Sequence, residues 1–234
     1  MYGMSYYGPF DFYLDRTGVG STITYRNINY LGAQLSASYQ ATVIFEGKNR
    51  VTVPLEGYTS HDGKYRKFVG WNMDDTAFEV FSIHFKDKSD TDIKVANADG
   101  VILASYYADI PSQQPELLVG DNANVKITTY GDSGEDYGIG ATSSLRTVID
   151  VQRHGKFIIG ENSTVTAESA SASGKKANRV PYRNSRNSPL TPYSYKPETT
   201  IGKGSTLNLI SNGATYAGDG LLILDQNDQT FNIE

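Results

Sequence analysis

Apolar and polar residues alternate with a period of two over short stretches of this chain, and glycine-centred corners break the stretches. Leu117 to Ile127 reads LLVGDNANVKI, Phe157 to Ala167 reads FIIGENSTVTA, and Thr199 to Leu209 reads TTIGKGSTLNL. In each copy an apolar residue (Val119, Ile159, Ile201) ends the incoming run, and a glycine (Gly120, Gly160, Gly202) follows to let the backbone turn. Two positions later stand Asn122, Asn162 and Gly204, residue types that hold positive φ at least cost. The outgoing runs then alternate, with Val125/Ile127, Val165/Ala167 and Leu207/Leu209 around the polar Lys126, Thr166 and Asn208. Such alternation predicts a strand with one buried face. A looser copy, VIFEGKNRVTV, places Gly47 at the turn and is one residue shorter before its second strand.

The three clean copies recur about every 40 residues, a period that belongs to solenoids, propellers and arrays. One corner buries little alone, whereas stacked copies bury a continuous apolar column with strands about 4.8 Å apart. A repeat of this size predicts two coils of a β-helix; a propeller blade is the rival. The irregular spacing disfavours blades. So does the scarcity of two-residue hairpin signals such as Asp62-Gly63, Asp99-Gly100 and Asp219-Gly220. Further strands are expected in TITYRNINY and ATVIFEGKNRVTVPL, in AFEVFSIHF (77–85) as a single strand covered on both faces, and in LLILD and TFNIE. Residues 92–105 read as another strand–corner–strand. Residues 57–77 and 168–198 read as loops, the second a long polar insertion. Nothing reads as an interdomain linker, so residues 1–234 are expected to form one domain.

Composition sharpens this to an all-β class. The 23 Gly and 17 Tyr, with abundant Ser, Thr and Asn, favour strands and turns over helices. The net charge of −5 gives no basis for nucleic-acid binding, which needs a basic face. No apolar run is long enough to insert in a membrane as a helix. Residues 1–20 lack a basic segment followed by an apolar core, so the chain is expected to be a fragment of a larger surface protein, with signal and anchor outside it. The absence of cysteine excludes disulfides and thiol chemistry, and a chain of this size can be extracellular without them.

The candidate ligand contacts sit in the two predicted loops. Segment 168–198 carries Tyr182, Arg183, Arg186, Tyr193 and Tyr195, and segment 58–71 carries Tyr65, Arg66 and Trp71 in a locally basic setting. Tyrosine stacks on sugar rings and arginine forks onto carboxylates; the plainer alternative is a solvated loop, with Trp71 as a core plug. Asp74/Asp75, Asp90/Asp92 and Asp132/Glu135/Asp136 could offer oxygens to Ca²⁺, but none fits a known calcium loop, and solvated turn carboxylates are the simpler account. No cofactor is therefore expected. His61, His84 and His154 form no metal spacing, and no nucleophile elbow is present.

TITYRNINYLGAQL, followed by ATVIFEGKNRVTV and the repeated LLVGDNANVKI and FIIGENSTVTA, resembles the pectate-lyase-like adhesive domains on the surface of lactic acid bacteria. It is also similar to the binding regions of their serine-rich repeat adhesins. The resemblance implies a right-handed parallel β-helix on a bacterial cell surface. It implies binding of polysaccharide, mucin or another host surface glycoprotein, without catalysis. Pectate lyases hold Ca²⁺ with carboxylates beside an Arg or Lys base; here Asp121 and Glu161 occupy equivalent repeat positions, but the third copy has Lys203, which would repel a cation. Three functions follow as expectations: a surface adhesin holding glycan between segments 58–75 and 168–198, a polysaccharide lyase or hydrolase, or a self-associating structural unit. Because the chain is acidic, binding to acidic polysaccharides is expected to strengthen near pH 4–5.

Overall fold

A computed structural model describes residues 5–8, 22–32, 42–53, 58–59, 65–66, 76–80, 82–96, 99–103, 116–130, 146–152, 155–170, 179–185, 198–212, 222–224 and 230–233. All the described elements are strands. They are β1 (Ser5–Gly8), β2 (Thr22–Arg26), β3 (Asn29–Gly32), β4 (Thr42–Glu46), β5 (Lys48–Val53), β6 (Tyr58–Thr59) and β7 (Tyr65–Arg66). Next come β8 (Thr76–Val80), β9 (Ser82–Phe85), β10 (Asp90–Ala96), β11 (Asp99–Leu103), β12 (Glu116–Val119), β13 (Asn124–Tyr130) and β14 (Arg146–Gln152). The last are β15 (Lys156–Ile159), β16 (Thr164–Ala170), β17 (Arg179–Ser185), β18 (Glu198–Ile201), β19 (Thr206–Asn212), β20 (Leu222–Leu224) and β21 (Thr230–Ile233).

Three parallel sheets result. Sheet 1 runs β2-β4-β9-β12-β15-β18-β21, sheet 2 runs β1-β3-β5-β10-β13-β16-β19, and sheet 3 runs β20-β17-β14-β11-β8; among the described residues only β6 and β7 pair antiparallel. From β9 to β20 the chain visits sheets 1, 2 and 3 in strict rotation, an order compatible with a β-solenoid. Two expectations are corrected by the register. Leu117 pairs with Phe157 and Phe157 with Thr199, so neighbouring copies of the repeat are adjacent strands and each copy advances the stack by one strand, not by two coils. Residues 77–85 are two strands on different sheets, β8 and β9, which explains why no single alternation fits them.

The apolar residues picked out by alternation form the core. Ile83, Leu117, Phe157 and Thr199 make one inward row of sheet 1, and Tyr25, Phe45, Phe85, Val119, Ile159 and Ile201 the next. At one end the second row is aromatic: Tyr25 stacks on Phe45 and Phe45 on Phe85, each pair with centroids 5.4 Å apart. Burial pushes the Tyr25 phenol up to about 12. Sheet 2 answers with Val51, Ile93, Ile127 and Ala167, and sheet 3 with Ile149 and Val151.

The corners between sheets 1 and 2 stack as well. Asn122 and Asn162 hold φ of 55° and 53°, and Gly204 holds 71°, as the residue types imply. Gly120, Gly160 and Gly202 serve a different purpose from the turning role expected of them, for none has positive φ. A Cβ on Gly120 would lie 2.6 Å from the backbone nitrogen of Asp87 in the preceding turn, so these positions need glycine for close approach. Gly47, by contrast, does have positive φ and stacks over Asn27, matching the asparagine position of the other corners.

Lys88 is the exception in this column, since it holds φ of 60° without a local side-chain acceptor to favour it. Lys88→Asn is expected to raise stability by about 0.5–1 kcal/mol, the left-handed strain of an ordinary L residue being roughly 1–2 kcal/mol. A urea-unfolding midpoint unchanged or lowered in the variant would contradict this.

Candidate binding face

The outer face of sheet 2 is mainly polar over its described length, with Leu31 and Ile210 as the apolar exceptions. Register aligns Lys48, Asp90, Asn124, Thr164 and Thr206 in one row, and Arg50, Asp92, Lys126, Thr166 and Asn208 in the next. A third row holds Thr52, Lys94, Thr128, Glu168 and Ile210. Period-two alternation dictates these rows, because the intervening Val51, Ile93, Ile127 and Ala167 are buried.

One half of the face is charged and internally paired. Arg50 donates to the Asp90 carboxylate at 2.8 Å and to the carbonyls of Asn49 and Asp90 at 2.7 and 3.0 Å. Asn124 donates to the other Asp90 oxygen at 3.3 Å. Lys126 meets Glu168 at 2.6 Å, and Lys94 stands 3.8 Å from Asp92. The other half is neutral: Thr164, Thr166, Thr206 and Asn208, with Asn208 donating to the Thr166 hydroxyl at 3.3 Å. Hydroxyl and amide groups both donate and accept, as the hydroxyls of a sugar require.

Beside this face the corner carboxylates form a ladder. An Asp87 carboxylate oxygen accepts from the Asp121 amide at 3.0 Å, and Asp121 in turn accepts from the Glu161 amide at 2.8 Å. Asp121 and Glu161 are thus equivalent positions, as the repeat implies, and Asp121 is engaged in holding the next turn. Beneath the ladder, Ser163 accepts from the Ala123 amide at 3.0 Å and donates to the Gly120 carbonyl at 2.7 Å; Ser205 repeats the arrangement one turn on, accepting from Ser163 and donating to the Gly160 carbonyl. Asn49 does the same work earlier in the chain, accepting from the Ile28 amide at 3.2 Å and donating to the Glu46 carbonyl at 3.1 Å. These side chains, of which Asn49 and Ser163 are buried, satisfy corner groups that would otherwise lack partners.

The sequence-derived candidates fall in three places. Tyr182 and Arg183 lie in β17, a strand of sheet 3 and not a loop; Tyr182 is in register with Ile149 and Leu222, and Arg183 with Asp150 and Ile223. Tyr65 and Arg66 form β7, paired with β6 in the two-stranded ribbon. Trp71, Arg186, Tyr193 and Tyr195 lie outside the described residues, as do Asp74/Asp75, Asp132/Glu135/Asp136, His61 and His154. Asp90 and Asp92 are adjacent to basic partners, and among the described residues no three His, Cys, Asp or Glu side chains converge to hold a metal. The sheet 2 face was only partly visible in the sequence, where Lys126, Thr166 and Asn208 stand out as polar partners but nothing aligns Arg50 and Asp92 with them.

Two described groups tie stability to pH, His84 on sheet 1 and Asp90 on the sheet 2 face. Burial holds the His84 imidazole below its ordinary 6.5, against the opposing pull of Glu116 at 3.7 Å. The hydrogen bond from Arg50 holds Asp90 below its ordinary 3.8. Both folded values lie below the unfolded ones, so the unfolded chain takes up protons first as pH falls. Stability is therefore expected to be full above pH 6.5 and to decline as pH drops through the folded His84 value, with a second loss below 3.8. The Asp90 side chain is 40% exposed, which limits its share to a few tenths of a kcal/mol, roughly. His84→Gln should remove the first loss when unfolding is followed at successive pH values; an unchanged difference profile would rule His84 out.

Comparison with protein-family models, with curated proteins and with solved structures finds no match to this chain.

Proposed function

We propose that this chain is a non-catalytic binding module built as a right-handed parallel β-helix of the pectate-lyase-like type, carried on a bacterial cell surface. Its ligand is polysaccharide, mucin or another host surface glycoprotein, held along the outer face of sheet 2. The observation that carries the proposal is the alignment of Thr164, Thr166, Thr206 and Asn208 in rows on neighbouring parallel strands, beside paired charges. Strands about 4.8 Å apart repeat a hydroxyl-recognising group at a spacing close to that of sugars in an extended chain. Each hydrogen bond contributes little, about 1 kcal/mol net. Strong attachment then comes from display of many copies, which raises effective concentration without new contacts. The Asp121–Glu161 ladder supports the non-catalytic reading, because its last member is followed by Lys203 and Asp121 is engaged by a backbone amide.

The test is binding of the purified chain to immobilised pectins, mucins and matrix proteins near pH 4.5 and pH 7, with product release assayed in the same wells. Binding without product, weakened by a Thr166→Ala/Asn208→Ala variant that keeps its unfolding midpoint, supports the module. Tyr65, Arg66, Tyr182 and Arg183 are the next positions to vary. Release of unsaturated or reducing ends would replace the proposal with a lyase or hydrolase, and absence of binding to every surface would remove it.

A further inference from the structure

The outer face of sheet 1 differs in kind from that of sheet 2. Its central row is Thr24, Ile44, His84, Leu118, Ile158 and Thr200, one residue per strand. Ile44, Leu118 and Ile158 are outward and only partly buried, while their neighbours Val43, Phe45, Leu117, Val119, Phe157 and Ile159 fill the core. The flanking row reads Thr42, Ser82, Glu116, Lys156 and Glu198, so charge alternates in sign over β12, β15 and β18. On the other side of the stripe stand Gly120, Gly160 and Gly202, which carry no side chain to hold a partner off.

We propose that this face pairs with the same face of a second copy of the chain. The charge order selects the geometry. A two-fold axis lying in the interface, parallel to the strands and between β12 and β15, exchanges the strands on either side of it. Leu118 of one copy then faces Ile158 of the other, and Glu116 faces the other copy's Lys156, twice per dimer. A two-fold along the stack instead sets Glu116 against the glycine row and leaves the charges without partners. An isologous interface needs a self-complementary patch, and Glu116 and Lys156 supply one about the first axis and not the second, while Glu198 falls opposite the hydroxyl of Ser82. Sheets packed face to face at about 10 Å let branched aliphatic side chains from both copies interdigitate. The inference stands independently of the glycan reading, since it uses a different sheet.

Sedimentation equilibrium of the full chain, with variants confirmed folded by their unfolding midpoints, tests it. A reversible dimer is expected. Glu116→Lys and Lys156→Glu should each weaken it about tenfold or more, through like charges facing across the interface. The double variant Glu116→Lys/Lys156→Glu should restore it, because the exchange regenerates both pairs. Leu118→Asp should weaken it roughly a hundredfold by burying an unpaired carboxylate at the centre of the stripe. A chain that stays monomeric at all concentrations overturns the proposal. So does a dimer indifferent to these variants, which would place association elsewhere, or a double variant no tighter than the singles.

Discussion

Replacing Phe85 by alanine is expected to cost about 3–5 kcal/mol of stability, the range for deleting a fully buried aromatic ring. Phe85 is 1% exposed and stacks on Phe45, with ring planes 10° apart. Phe45 is itself stacked on Tyr25, so the ring lost from Phe85 also removes one wall from the middle of a three-ring column. The neighbours cannot close in to fill the gap. Backbone bonds on both sides of the residue, Lys86 N–H to the Phe45 carbonyl at 2.9 Å and Gly120 N–H to the Phe85 carbonyl at 2.7 Å, fix the distance between turns. A core lined by stacked parallel strands is held at strand spacing, and its side chains have less freedom to collapse than those between mobile helices. Phe85→Leu retains most of the volume and should cost roughly 1–1.5 kcal/mol. Urea unfolding of the three proteins gives the ordering directly. A Phe85→Ala penalty no larger than that of Phe85→Leu would mean that the stack relaxes and that the aromatic column is not what fills this end of the core.

What the sequence shows and hides follows from the length scale of each interaction. The corner and the strands flanking it are local: Val119, Asn122, Val125 and Ile127 lie within one short stretch, and each has the side chain that its backbone or burial demands. Their recurrence therefore gave the parallel all-β arrangement, and the positive φ of Asn122, Asn162 and Gly204, from residue types alone. The number of strands per repeat was not legible, because sheet 3 is written in weaker code. β14 reads RTVIDVQ and β17 reads RVPYRNS, neither of which alternates cleanly, and so segment 168–198 looked like an uninterrupted loop. The same weakness made β8 and β9 look like one strand, since the sequence between them offers Phe81 and not a residue type that favours turns. The candidate face was hidden for another reason. Arg50 and Asp90 are 40 residues apart, and their ion pair exists only because the register of β5 on β10 places them at diagonal positions on neighbouring strands. Composition told of sugar-binding residue types; it could not say that threonine and asparagine would fall into rows on sheet 2.

Gly120→Ala is the second large loss, expected at about 3 kcal/mol, the upper part of the range for forcing extra atoms into a packed interior. The added methyl would meet the Asp87 backbone, at 2.6 Å from its nitrogen and 3.0 Å from its Cα. It would also meet the Asp87 carboxylate, which accepts from the Asp121 amide at 3.0 Å and so ties the two turns together. Relief requires the turns to move apart, and that stretches the Gly120 N–H bond to the Phe85 carbonyl directly over the aromatic column. Two companion variants separate the causes. Asn122→Gly sits two residues away on the same corner at φ 55°, where glycine is well tolerated, and should change stability by no more than about 0.5 kcal/mol. Asp87→Ala in the Gly120→Ala background removes the side-chain part of the obstruction but leaves the backbone part, so recovery should be partial at most. Full recovery in that double variant, measured by thermal or urea unfolding, would show that the carboxylate alone excludes a side chain at Gly120. Little or no loss in Gly120→Ala itself would show that the corners slide past one another, and the glycines of the repeat would then need a different physical reason than close approach.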